Sequence, residues 1–257
     1  MTDQLSGIAN YCFRWCERCP FTDRCGVYSL GRELGAEGRQ QNTMPRAFPA
    51  LSGSYADFLR RLEKQLMVDG VSLQELETDP PLPVAEIKSR SRSMVIEYLS
   101  ASQWTRPLLQ SANFDDPSVQ AAHALNWYVV MLGPKVQRCL HSREETTEQG
   151  DGFFYEDARR TAYLTLLCLA RATAAVTVLL ERSVSPRSRL VGLVVQFIRL
   201  TESIRRVFPD VSLYPPPHWD QEPYLSEQLA FYGGVLPLHP FLEGMWRYGG
   251  ERAPGGG

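Results

Sequence analysis

Neither charge sign is in excess in this 257-residue sequence, where 27 Lys and Arg face 29 Asp and Glu for a formal net charge of -2. That balance excludes the basic surplus of a general nucleic-acid binder and the acidic surplus of a solvating tail. Histidine is scarce, with four in the chain, and none has a glutamate three residues before it. The Glu-x-x-His pattern of ferritin-like di-iron bundles is therefore missing. So are the phosphate loop, the dinucleotide fingerprint G-x-G-x-x-G, the G-x-S-x-G elbow and the H-E-x-x-H zinc helix. Few stretches alternate with the period of two expected of half-buried strands, and no segment repeats at a fixed period. The opening "MTDQLSGIANYC" has no charged region followed by an apolar one, so no secretory signal is expected. A cytoplasmic location, in which disulfides are unusual, follows as the expectation.

What remains is a chain with 44% hydrophobic residues, enough for a substantial core, patterned for helices. Three parts are expected. Residues 1–53 hold a cysteine-rich segment and a Gly- and Pro-containing linker; residues 54–208 are a helical bundle; residues 209–257 are an irregular Pro- and aromatic-rich segment with a disordered Gly-rich tail. Within the bundle, Phe58, Leu62, Leu66 and Met67 recur at helical spacing, with Gly70 as a stop. A second helix is predicted from near Val84 toward Leu109, bent or ended by Pro107. A third begins with Asp116 as N-cap and Pro117 at its first position, and Gly133-Pro134 should kink or split it. The stretch "TTEQGDG" reads as a loop. Two long helices, roughly Phe154 to Ser183 and Ser188 to Phe208, should form an antiparallel hairpin around Pro186. The fold class is mainly α: a four-helix core, an extra helix near residues 55–69, and irregular segments at both ends.

The run Ala162 to Leu180 is almost long enough to cross a bilayer, but Arg171 sits at its centre. An arginine at the midplane costs at least about 2.5 kcal/mol. The central helix of a bundle is the expected role, and no membrane span is expected.

Four of the six cysteines fall within "YCFRWCERCPFTDRC" as Cys12, Cys16, Cys19 and Cys25, a C-x3-C-x2-C-x5-C spacing. Structural zinc sites more often join two C-x2-C knuckles across a dozen or more residues, and here only Cys16 and Cys19 form such a pair. A tight loop with uneven spacings suits four thiolates directed at four irons, which points to a [4Fe-4S] cluster, with zinc as the alternative. Phe13, Trp15, Pro20, Phe21 and Tyr28 would shield a cluster, and Arg14, Arg18 and Arg24 would offset its charge. The same residues equally suit a segment that merely anchors to the bundle.

The "CERCPFTDRCGVY" stretch resembles the iron-sulfur loop of endonuclease III-like DNA glycosylases, whose C-x2-C-x5-C interval matches Cys16, Cys19 and Cys25. That loop places six residues before this interval where the present chain places three, and no helix-hairpin-helix "GVG" with a catalytic lysine and aspartate follows. The resemblance implies a cluster and no glycosylase activity. Cys12, Cys16 and Cys19 also match the C-x3-C-x2-C of radical S-adenosylmethionine enzymes. Those enzymes resemble (β/α) barrels, whereas helices are read here where the strands would stand, and Cys25 would fill the iron left open for substrate. Over its whole length the chain resembles a group of bacterial helical proteins with an N-terminal "CxRWCERCPFTxRC" segment, on that stretch, "NWY" at Asn126 to Tyr128 and "FPDV" at Phe208 to Val211. That group brings no mechanism with it.

Several polar residues fall on or beside apolar helical faces: Glu97, His123, Asn126, Asp157, Arg160, Arg171, Glu202 and Arg205. Glu202 with Arg205 and Asp157 with Arg160 are spaced for local ion pairs. A sharper reading brings Glu97, His123, Asp157 and Glu202 from four helices into one polar cavity that binds a metal or small ligand. Cys139 and Cys168, among apolar neighbours, read as buried packing residues. The functions in view are electron transfer or redox sensing with a redox or protein partner, a zinc-stabilised interaction module, and an enzyme with its site in the bundle.

Overall fold

In the computed structural model the described residues are 29, 49–51, 55–78, 80, 82–149, 152–184, 186–209 and 211. The cysteine segment, the linker and the C-terminal segment lie almost wholly outside them. The described residues form α-helices joined by short turns, with no strand among them. In chain order the helices are α1 Tyr55–Met67, α2 Leu73–Thr78, α3 Val84–Ser100, α4 Arg106–Leu109, α5 Pro117–Gln149, α6 Gly152–Glu181 and α7 Arg187–Val207. Two 3₁₀ turns, Pro49–Leu51 and Ser102–Trp104, complete them.

The axis of the molecule is α6, in which every residue from 161 to 180 is buried. It packs against α5, α7 and α1, and α3 closes the bundle by packing on α5 and α7. The stretch Asp157–Glu181 is long and apolar enough to cross a membrane, and its most apolar window is wholly buried inside the bundle. Its polar side chains are adapted to that setting. Thr165, Thr173 and Thr177 each donate a hydroxyl to the carbonyl four residues back, at 2.7, 2.9 and 3.0 Å, so these three buried hydroxyls are satisfied within the helix. Alanines at 170, 172, 174 and 175 let neighbouring helices approach closely.

Helix ends follow sequence signals, with corrections. Asp116 accepts the Ser118 amide through Oδ1 at 2.7 Å, the expected N-cap ahead of Pro117. Helix α1 ends in a Schellman motif: Gly70 has φ +69°, its N–H bonds the Met67 carbonyl at 3.2 Å, and the Val71 N–H reaches the Leu66 carbonyl at 3.1 Å. Phe58, Leu62 and Leu66 are buried as read, but Met67 is 70% exposed, because it lies one step past the buried stripe. The helix expected from Val84 to Leu109 ends at Ser100, and Pro107 starts α4 instead of ending its predecessor. A missing N–H is harmless in a first helical turn.

Gly133-Pro134 neither splits nor ends α5, which runs unbroken for 33 residues and through most of the expected loop "TTEQGDG". Proline at 134 removes the donor to the Val130 carbonyl, and both residues are exposed on the solvent side, where water can serve the freed group. Gly133 is buried against α3: a Cβ there would stand 3.3 Å from Val95 Cγ2. The glycine thus permits the α3–α5 approach, while the proline occupies the opposite, open face.

Candidate functional site

Cys12, Cys16, Cys19 and Cys25 lie outside the described residues, so the structure adds no geometry to the proposed cluster. The chemistry of the donor set is the available test: four thiols in one short segment supply the soft sulfur ligands that either a cubane or zinc takes. His218 and His239 also lie outside the described residues.

The four-helix cavity read from Glu97, His123, Asp157 and Glu202 does not assemble. Among the described residues no three His, Cys, Asp or Glu side chains come together as a group that could hold a metal ion. Glu97 is exposed on α3. Glu202 accepts from Arg205 at 3.4 Å, the local pair its spacing predicts. Asp157 is buried near the start of α6, where Arg138 of α5 donates to it from Nε at 3.1 Å and Nη2 at 2.8 Å, and the Ser142 hydroxyl donates at 3.0 Å. Its ion-pair partner across the seam is Arg138; the side chain of Arg160, the partner that spacing suggested, lies outside the described residues. His123 belongs to the other end of α5. The residue facing Asp157, Arg138, is fifteen positions along that helix, which at 1.5 Å per residue is about 22 Å away. The antiparallel chain direction of the hairpin, invisible in spacing alone, keeps the two apart.

What the structure brings together instead is a polar series along the α5–α6 seam. Near its middle, Arg171 is 2% exposed and its Nη1 donates to the Tyr128 hydroxyl at 2.7 Å, with the guanidinium 5.5 Å from the ring centroid. Burial pushes the Tyr128 phenol up to about 12, although Arg171 opposes that rise. Lys135 is buried one heptad further along α5. It and Arg171 both act on the Cys168 thiol, yet desolvation outweighs them and raises that thiol to about 11. Desolvation likewise raises Cys139 to about 12. Both cysteines are free, buried and protonated at neutral pH, as packing residues should be. The seam ends in the Arg138, Ser142 and Asp157 cluster.

Tyr128, Lys135 and Ser142 share one face of α5 at seven-residue intervals, a signal present in the sequence but not distinguishable there from ordinary amphipathic spacing. Gln120 was also not legible. It is buried, its Oε1 accepts the Ala50 amide at 2.8 Å, and its Nε2 donates to the Phe114 carbonyl at 2.7 Å. Phe114 in turn packs on His123, with ring centroids 5.2 Å apart. Gln120 therefore ties the Pro49–Leu51 turn and the 111–116 loop to the start of α5.

No protein-family model, curated protein or solved structure matches the chain.

Proposed function

We propose that this is an iron-sulfur protein in which Cys12, Cys16, Cys19 and Cys25 hold one [4Fe-4S] cluster beside a helical bundle and serve electron transfer or redox sensing. The single observation that supports this reading is the C-x3-C-x2-C-x5-C spacing, compact and uneven, in a chain with two other cysteines, both buried as free thiols. When bound, such a cluster supplies one-electron redox chemistry. The four thiolates would ligate it, and Arg14, Arg18 and Arg24 would lower its effective negative charge. Four protein ligands leave no iron open, which favours relay or sensing over chemistry on a substrate.

The test is metal and sulfide analysis with an absorption spectrum on full-length protein purified without oxygen. About four irons and four sulfides per chain, with broad absorbance near roughly 400 nm, are expected, and both are expected to vanish when the four cysteines become alanine. About one zinc without sulfide would replace this reading with a structural zinc knot. The C-x2-C pair Cys16 and Cys19 is the observation that favours that second reading.

A further inference from the structure

The start of α5 carries an arrangement that neither the cluster nor the core explains. His123 is half-buried, but its Nε2 is buried from solvent and has no hydrogen-bond partner among the described residues. Its ring lies against Phe114, at a tilt of 42°. The carbonyl of the same Phe114 accepts from Gln120 Nε2, and Gln120 Oε1 holds the Ala50 amide. One imidazole therefore touches the residue on which a two-way amide clamp depends, and the clamp joins the Pro49–Leu51 turn, 25 residues beyond Cys25, to the bundle.

The geometry points to His123 as a proton-operated latch: protonation of its ring unseats Phe114 and thereby loosens the Gln120 clamp that holds the Pro49–Leu51 turn on the bundle.

A neutral imidazole can leave one nitrogen without its own proton, and an unpaired acceptor at buried Nε2 is tolerable. The imidazolium has two N–H donors and a full charge, and it would place one donor at a buried position with no acceptor. Turning toward water is the route open to a half-buried ring, and Phe114 stands against that ring. Among the described residues no neighbouring charge compensates. Of the charged groups on the surrounding elements, Asp115 and Arg106 are exposed and Asp116 accepts the Ser118 amide. At the end of α6, Glu181 pairs with Arg61 of α1. The pKa of His123 is accordingly lowered, and burial is the cause.

The sign follows. The latched state binds its proton less readily than the open state, in which an unperturbed histidine titrates near 6.5. Latching is at full strength above about pH 6.5 and weakens as the pH falls below it. Each unit by which the latched pKa lies below 6.5 corresponds to about a tenfold loss of protection once both states are protonated.

The experiment is amide hydrogen exchange on the full-length protein at pH 7.5 and 5.0, corrected for the intrinsic pH dependence of exchange, with the Ala50 amide as reporter. Wild type should lose protection at Ala50 at the lower pH, by a factor set by how far burial lowers the latched pKa. His123→Phe should show the same protection at both values, and Gln120→Ala low protection at both. Wild-type protection that does not change with pH overturns the proposal, as does a pH response retained in His123→Phe. Should that variant not fold, His123→Gln and an NMR titration of the wild-type imidazole replace it. A His123 that titrates at or above 6.5 also overturns the latch. None of these outcomes depends on whether iron or zinc fills the cysteine segment.

Discussion

Ser183 shows how a single backbone position stores energy. Helix α6 ends as α1 does, with the Ser183 N–H on the Leu180 carbonyl and the Val184 N–H on the Leu179 carbonyl, both at 3.0 Å. The position that must turn left-handed is glycine in α1 and serine in α6, where φ is +56°. A side chain there costs roughly 1–2 kcal/mol of local strain, partly offset because glycine is freer when unfolded. Ser183→Gly is expected to raise stability by about 0.5–1 kcal/mol, read from the urea midpoint at unchanged slope. The Gly70 stop was legible because glycine announces a left-handed cap. The Ser183 stop was not, and Pro186 drew attention to the turn while the bonds that end the helix fall three residues earlier. Likewise the half-buried state of His123 was open to sequence, whereas its contact with Phe114 depends on how the 111–116 loop folds back.

At the scale of elements, the α5–α6 hairpin is held in register by polar pairs at two levels of a largely apolar seam, with Lys135 buried between them. Tyr128 meets Arg171 near the middle, and Ser142 meets Asp157 near the connection, with the same interval separating the members on both helices. A slip by one turn would set Arg171 against Ala124 or Leu132 instead of Tyr128, so this buried pair disfavours other registers more than it adds net stability. Tyr128→Phe removes a hydroxyl that accepts from a buried guanidinium. It is expected to lower stability by about 1–3 kcal/mol while leaving helix content unchanged, measured by urea unfolding and far-ultraviolet circular dichroism. A loss below a few tenths would show that the Arg171 contact with Tyr128 has no structural weight. The existence and approximate limits of α5, α6 and α7 were readable from apolar periodicity and the Asp116-Pro117 cap. The unbroken course of α5 was not, because the effect of Gly133-Pro134 depends on which side faces α3 and which faces water. The Glu97, His123, Asp157 and Glu202 cavity fails for the same reason: sequence assigns residues to faces but not to levels along a hairpin.

At the scale of the whole molecule, the described core is one continuous cluster of apolar side chains from α1 to α7 and their connecting turns. If the extensive apolar core carries the bundle's stability, alanine replacement of Cys12, Cys16, Cys19 and Cys25, the proposed cluster ligands, should leave the bundle folded. Far-ultraviolet circular dichroism is expected to stay within about a tenth of wild type, since helix stability comes from packing of apolar faces. Collapse of the helical signal would mean that the segment is a staple for the entire fold and would move the cysteines from a redox to a structural role. Sequence alone determined the helical class, the central place of the apolar run around Arg171 and the caps at Asp116 and Gly70, because each is written in local spacing or in side-chain chemistry. Only the tertiary structure decided that Asp157 belongs to Arg138, that Arg171 rests on Tyr128, that Gln120 clamps Ala50 to the bundle, and that no three of the charged candidates share a site. Those outcomes depend on the direction, level and rotation at which helices meet, and long-range packing fixes these after local pattern has settled what each segment becomes.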